Sequence, residues 1–312
     1  MDHEVKLWAL PPKDTPNVLR GHTDAVQSVG FSPDDRFLAT ASLDRTVKLW
    51  DAKGETNLAT FTGHTAGVTG VAFSVEGTTL VSCSLDKTVR FWNATTGKQL
   101  DVFPGEKKLS CLALSPDSRT VTVGSGWWDE GSHVIPAVIS FWDVASRQRL
   151  TNDVIVHDMV QTLSFSPDGK TLAVGSADGV LELVDVVKKT SIFFSTNLSS
   201  QVAWSLQDGT LAVSDELDWI GLFDRSTHLI SRRLQMPSAA TRYAACSPDG
   251  TTMAFFYTTT RVKLCNVATG REVATLQGHE GFGMYLAVSH DGQTLATAGN
   301  DRTVRLWRAP RK

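Results

Sequence analysis

Apolar positions along this chain come in short runs, not in long stripes. The segments "TLVSCS" (79–84), "TLAVGS" (171–176) and "TLATAG" (294–299) are representative. Each is rich in β-branched or small apolar residues and is bounded by polar turns, which is the pattern of strands. No segment sustains the 3.6-residue apolar period of a helix, so none is predicted. The turns have a mechanism of their own. "SPDS" at 115, "SPDG" at 166, "LQDG" at 206 and "SPDG" at 247 supply a Pro that pre-sets the first dihedral, a Gly that accepts positive φ, or both. They predict tight connections between antiparallel strands.

The strand–turn pattern repeats. "GHTDAVQSVGFSPDDRFLATASLDRTVKLWD" (21–51) lies over "GHTAGVTGVAFSVEGTTLVSCSLDKTVRFWN" (63–93) without a gap. His22 falls on His64, Ser42 on Ser84, Asp44 on Asp86 and Trp50 on Trp92, all at one constant spacing. A third copy, "GHEGFGMYLAVSHDGQTLATAGNDRTVRLWR" (278–308), carries His279, Asp301 and Trp307 in step, with Gly299 in place of the serine. Weaker copies fill the middle of the chain. Repeats of this length mean solenoids, propellers or arrays.

The Gly-His pairs at 21–22, 63–64 and 278–279, each followed at fixed spacing by a turn aspartate and a Trp, resemble the motif of the WD-repeat β-propeller family, and the resemblance, weaker in the other repeats, covers almost the whole chain. The "SPDG" turns and the phrase "LRGHTDAV" (19–26) are similar to those of bacterial multidomain WD-repeat proteins. The resemblance implies a ring of blades, each a four-stranded antiparallel sheet with strands a to d from the axis outward. The a, b and d strands each occur seven times, whereas the c-strand signature occurs eight times, from "VKLW" (5–8) to "VRLW" (304–307). The last copy lacks a d strand, and "NVLR" (17–20) is available to supply it. The expectation is therefore an all-β, seven-bladed β-propeller of four-stranded antiparallel blades, closed by an N-terminal outer strand that completes the C-terminal blade. The propeller takes residues 13–312. Residues 1–12 remain as a surplus strand, either the remnant of a preceding repeat in a longer protein or an extension packed on the closing blade.

Composition narrows the function. A net charge of −3 over 312 residues gives no case for nucleic acid, which needs a concentrated basic surface. Cys83, Cys111, Cys246 and Cys265 form no C-x-x-C pair, which suggests reduced structural thiols and a cytoplasmic setting. No stretch approaches the about 18 apolar residues of a membrane span. Asp2, Glu4 and Lys6 stand where a signal peptide places its apolar run, although the start of a piece of a longer protein says nothing about targeting.

A serine, a histidine and an aspartate at fixed spacing raise the possibility of a hydrolase triad. The family resemblance implies a structural relay instead, in which the Trp indole donates to the Ser hydroxyl, the hydroxyl to the His and the His to the turn Asp. The sets are His22, Ser42, Asp44 and Trp50; His64, Ser84, Asp86 and Trp92; and the partial His279, Asp301 and Trp307. An active site would not recur in this way, so no catalytic residue is assigned. His133 with Asp129 and Glu130 is one loop with no second histidine, so no metal is expected. No phosphate-cradling glycine loop is present, and no cofactor is expected.

The resemblance places the d–a loops and b–c turns on one face. The regular b–c turns "LDRT", "LDKT" and "NDRT" present Arg45, Lys87 and Arg302 there, where they are either partner contacts or solvated turn residues. Two repeats depart from the pattern. "GWWDEGSHVIPA" (126–137) adds Trp127, Trp128, Asp129 and Glu130, and "SDELDWIG" (214–221) adds Asp215, Glu216, Asp218 and Trp219. Long loops are where function concentrates, and carboxylates beside indole faces favour a cation. The competing reading folds these indoles back as local core, and it is preferred for Trp219. The expected function is a non-catalytic protein- or peptide-binding scaffold, monomeric as an isolated domain and one module of a larger protein. Its natural partner is a basic segment, with neither nucleic acid nor membrane as partner. The alternative is a propeller sensor or enzyme that takes a small cationic ligand or metal at the axial face.

Overall fold

The Ser-Pro-Asp turns build the first hairpin of a sheet through their side chains. Ser32 Oγ donates to Asp34 Oδ1 (2.6 Å) and accepts the Phe37 N–H (2.9 Å), while Asp34 accepts the Arg36 N–H (3.1 Å). The same Ser–Asp bond recurs at Ser115, Ser166, Ser247 and Ser289. In a computed structural model, the described residues are 16–53, 55–126, 137–156, 158–195, 202–204, 211–214, 219–224, 227, 229–235 and 242–309. Among them all helical or strand structure is β.

The chain opens with β1 (Asn17–Arg20). The next two sheets are β2 (Val26–Phe31), β3 (Phe37–Ser42), β4 (Val47–Asp51) and β5 (Asn57–Phe61), then β6 (Val68–Phe73), β7 (Thr79–Ser84), β8 (Thr88–Asn93) and β9 (Gln99–Pro104). β10 (Leu109–Leu114), β11 (Thr120–Ser125), β12 (Ala137–Asp143) and β13 (Gln148–Val156) follow. β14 (Val160–Phe165), β15 (Thr171–Ser176), β16 (Leu181–Asp185) and β17 (Thr190–Ser195) precede β18 (Val202–Trp204), β19 (Leu211–Ser214), β20 (Trp219–Asp224) and β21 (Leu229–Gln235). The last strands are β22 (Arg242–Cys246), β23 (Thr252–Phe256), β24 (Arg261–Asn266) and β25 (Glu272–Gln277), then β26 (Gly283–Val288), β27 (Thr294–Gly299) and β28 (Thr303–Arg308).

The expectation of seven blades is corrected to six continuous ones, while the expected pairing of the N-terminal strand with the C-terminal strands is found in the sheet that closes the ring. Six blades are each one uninterrupted run of four strands, from β2–β5 to β22–β25, and the remaining four-stranded sheet is a composite ordered β1-β28-β27-β26. In the composite sheet Asn17 pairs with Leu306 and Arg20 with Thr303. Among the described residues no strand follows β28, and its otherwise unpaired ladder edge is filled by the segment that precedes β2. Leu19, Val304 and Leu306 of this closing sheet share one core with Val26, Leu38 and Trp50 of the first continuous blade. Polar bonds tie the same seam. Arg308 donates to Ala52 O (2.7 Å) and Glu55 Oε1 (3.1 Å), and Asp35 accepts the His290 N–H (2.9 Å) and the Asp291 N–H (2.8 Å).

Inner strands carry a bulge, for example between Val68 and Gly70 and between Leu109 and Cys111. The bulged hydroxyls reach the next blade: Thr69 Oγ1 donates to Leu109 O (2.9 Å) and Ser110 Oγ to Val160 O (2.5 Å). Neighbouring blades are thus hydrogen-bonded near the axis as well as packed through apolar faces.

The relay that braces individual sheets differs from its expected form. His22 Nδ1 meets Asp44 Oδ2 at 2.7 Å, and His22 Nε2 meets Thr40 Oγ1 at 2.7 Å. Trp50 Nε1 donates to that same Thr40 oxygen (2.9 Å). The second blade uses His64, Asp86, Ser82 and Trp92 (2.8 Å throughout), and the closing sheet uses His279, Asp301, Thr297 and Trp307 (2.8–3.0 Å). A carboxylate only accepts, so Nδ1 carries the proton toward Asp. With Nδ1 as donor, Nε2 is the position left to take the hydroxyl proton, and the hydroxyl accepts from the indole. Ser42 and Ser84 are not members. Ser42 Oγ donates to Asp24 O (2.9 Å) and accepts the Asp44 N–H (3.1 Å); Ser84 Oγ donates to Gly67 O (2.9 Å) and accepts the Asp86 N–H (3.0 Å). Positions two apart share a strand face but lie about 6.8 Å apart along it, and the serine is the one within reach of the loop backbone. The Gly before each histidine also has a reason: at Gly63 (φ +151°) an added Cβ would lie 2.8 Å from Arg90 Nη1 and 3.2 Å from Trp92.

Burial by itself raises the carboxyls of Asp44, Asp86 and Asp301. Hydrogen bonds from the histidine, from Thr46, Thr88 or Thr303, and from the loop N–H of Thr23, Thr65 or Glu280 outweigh it and hold all three well below 3.8. In β10–β13 the relay is lost. Val123 takes the register position of Thr40, and the buried Trp142 Nε1 has no hydrogen-bond partner among the described residues.

Three outcomes are expected. Leu19 is 2% exposed at the closing seam, so Leu19→Ala should cost about 3 kcal/mol in urea unfolding; an unchanged midpoint would show that β1 does not hold the ring. Because the three relay carboxyls are depressed in the folded state, their stabilisation is complete above the ordinary carboxyl value, about 4, and is lost as pH falls below it. Asp44→Asn with Asp86→Asn and Asp301→Asn should therefore lower stability at neutral pH by about 2 kcal/mol per site and flatten its further fall in acid, followed by urea titration at each pH. Val123→Thr offers Trp142 the missing acceptor and should raise the guanidinium midpoint by the equivalent of about 1 kcal/mol; a drop would refute that assignment.

Candidate functional site

Backbone hydrogen bonds sort the connections onto two faces. On one, b–c turns bond to d–a loops: Leu43 N donates to Ala25 O, Leu85 N to Gly67 O, Ala177 N to Met159 O and Asn300 N to Phe282 O, each at 2.9 Å. On the other, c–d turns bond to a–b turns, as in Ala52 N to Arg36 O and Ala94 N to Thr78 O, both at 2.9 Å. The first is the loop face on which the candidate residues were expected.

Arg45, Lys87 and Arg302 lie there, all exposed, on the turns β3–β4, β7–β8 and β27–β28. Their sheets are neighbours in the ring, with β26 beside β2 and β2 beside β6. Trp127, Trp128, Asp129, Glu130, Asp215, Glu216 and Asp218 lie outside the described residues, as do His133 and residues 1–12. Trp219 is the first residue of β20, paired with Gln235, and so stands in a strand rather than in the loop. Phe282 went unnoticed in the sequence. It is 51% exposed and takes the loop position held by the small Ala25 and Gly67 in other repeats; that contrast in size was the available signal. Thr40, Ser82 and Thr297 were also missed, although the recurrence of a hydroxyl two residues before the Ser42, Ser84 and Gly299 position was there to be read.

The relay groups have no capacity for nucleophilic chemistry. Each relay hydroxyl is held between an imidazole and an indole, and Ser42 and Ser84 are held by backbone. Three of the four thiols are equally inert: burial pushes Cys111 up to about 12 and Cys265 up to about 11, and drives Cys83 higher still. A thiol so far above neutrality is not a thiolate nucleophile. The axial opening is lined by Ser28, Thr69, Cys111, Gln161, Tyr243 and Tyr285 among others, with a free volume of about 40 Å³. That is room for a few water molecules and not for an organic substrate. Among the described residues no three His, Cys, Asp or Glu side chains are gathered to hold a metal ion.

The WD domain, G-beta repeat model matches residues 14–51, 55–93 and 270–308. The model of the anaphase-promoting complex subunit 4 WD40 domain matches residues 146–207. Apoptotic protease-activating factor 1 of Rattus norvegicus is 27% identical over 304 residues, 97% of this chain and 23% of the relative. MST50-interacting protein 11 of Pyricularia oryzae is 24% identical over 199 residues, and the small ribosomal subunit protein RACK1 of Neurospora crassa 23% over 199 residues; each match covers 64% of this chain and 51% of the relative. The chain thus spans between about a quarter and a half of the length of these relatives. With repeats matched on both sides of the closing seam and again in the middle of the chain, this protein belongs to the WD-repeat β-propeller family.

Proposed function

We propose that this propeller is a non-catalytic module that docks protein partners on its loop face, within a larger protein and in the cytoplasm. WD-repeat propellers are protein-interaction scaffolds and bind protein partners. The observation that carries the reading to this chain is a division of labour among its polar groups. The hydroxyl–imidazole–carboxylate sets are consumed inside the sheets, while Arg45, Lys87 and Arg302 are exposed on the loop face and make no side-chain hydrogen bond or ion pair with the described residues. One relative is named for interacting with another protein, which agrees with this use of the fold.

We propose further that Trp127, Trp128, Asp129, Glu130, Asp215, Glu216 and Asp218, together with Trp219, take a basic segment as partner. Carboxylates attract its Lys and Arg directly, and indole faces attract them through the ring quadrupole. The module acts as a monomer, and a net charge of −3 disfavours nucleic acid and anionic membrane as partners.

The test is affinity capture with the full chain, followed by the same capture with Trp127→Ala and Trp128→Ala combined. Recovery of the main partner should fall at least about tenfold, the loss of a hot-spot aromatic. Undiminished recovery would remove this part of the face from the site.

A further inference from the structure

The three cations of the loop face share an unusual backbone. Arg45 has φ +71°, Lys87 φ +70° and Arg302 φ +65°. In the β15–β16 turn the same position is Gly179, at φ +77°. A left-handed residue is strained for any side chain with a Cβ and costs a glycine little. Three consecutive sheets nonetheless place a long cation where glycine is the easiest choice. A strained position that persists is a reason to look for function in its side chain.

The surroundings favour the same reading. Arg45, Lys87 and Arg302 are exposed, and none makes a side-chain hydrogen bond or ion pair with the described residues. Arg20, exposed at the end of β1 and paired with Thr303, adds a fourth charge beside Arg302. The exposed carboxylates of this arc are Asp24, Glu106 and Glu280; Asp24 caps the Ala25 N–H (2.7 Å), and Glu106 follows Gly105, whose N–H donates to Lys87 O. Asp44, Asp86 and Asp301 beneath are already occupied by histidine. Phe282 stands next to the Arg302 turn, its carbonyl accepting the Asn300 N–H (2.9 Å), and leaves half its surface uncovered.

We infer that the arc from Arg302 through Arg45 to Lys87 is the docking surface for an acidic stretch of polypeptide that carries an apolar residue for Phe282. The inference rests on the reading of the loop face as the docking face, and it gives that face two charge preferences: acidic chain over the closing seam, basic chain two blades further on. Charge complementarity sets the partner class. Three separated turn cations match spaced carboxylates on an extended chain, not the continuous phosphate rail of a nucleic acid.

The left-handed backbone supplies the control. Replacing Arg45→Gly, Lys87→Gly and Arg302→Gly together removes the charge and relieves the strain, so the melting midpoint should hold or rise. The probe is a short fluorescein-labelled Glu/Asp-rich peptide with one Leu, followed by anisotropy against the full chain, beside its Gln/Asn counterpart and a single-stranded oligothymidylate. The acidic peptide should bind, should weaken as salt rises, and should lose at least about tenfold in affinity in the triple glycine variant. The corresponding glutamine triple should show the same loss, which covers the case in which glycine loosens a turn. Equal affinity for the acidic and amide peptides, unchanged affinity in both triples, or tighter arc-dependent binding of the oligonucleotide would each overturn the proposal. Trp127→Ala with Trp128→Ala should leave acidic-peptide binding intact, so a failed arc and a failed basic-segment site give different results.

Discussion

The ladder between Asn17–Arg20 and β28 turns a row of sheets into a ring. Without it β28 would present an open edge, and the closing sheet would meet the first continuous blade only through side-chain packing and a few polar bonds. The ladder brings Leu19 onto Val304 and Leu306. It also sets Arg308 against Glu55 and Ala52, and Asp35 against His290. A small core patch and a few charge-assisted bonds therefore close a circuit that the chain itself leaves open. Every statement about a shared loop face depends on that circuit, because Arg302 and Arg45 belong to neighbouring sheets only if it is closed.

Bracing is uneven around the ring. The sheets on both sides of the seam, and the blade after them, carry the complete indole–hydroxyl–imidazole–carboxylate relay. The β10–β13 blade has lost it, to the point of leaving Trp142 Nε1 buried without an acceptor among the described residues. The well-braced sector is the one whose b–c turns are short and hold cations in a left-handed backbone. The sector without the relay carries the long insertion between β11 and β12.

The relay also explains how groups that suggest hydrolysis serve a scaffold. An imidazole between a hydroxyl and a carboxylate is the arrangement of a triad, but here the hydroxyl accepts from an indole and is buried. The carboxylates are held ionised by the hydrogen bonds they accept. What would be a proton relay in a cleft becomes a clamp between the d–a loop, strands b and c, and the b–c turn.

The repeated Gly-His, turn aspartate and Trp at one spacing were sufficient to read strands, hairpins and a WD-repeat architecture from the amino-acid order alone, because those features are local: a period of two, a Pro-Asp-Gly turn, a fixed recurrence. The exposed cations of the short turns were legible for the same reason. Whether Trp219 stood in loop or strand could be read only as a preference, since a short apolar run beside carboxylates fits both. The exposure of Phe282 and the strain at Arg45, Lys87 and Arg302 were hidden as well, since they depend on backbone dihedrals and neighbours. Nor could the sequence choose between Thr40 and Ser42 as the relay hydroxyl. Both project from the same strand face, and only the height at which His22, brought in from another loop, meets that strand decides which oxygen it reaches.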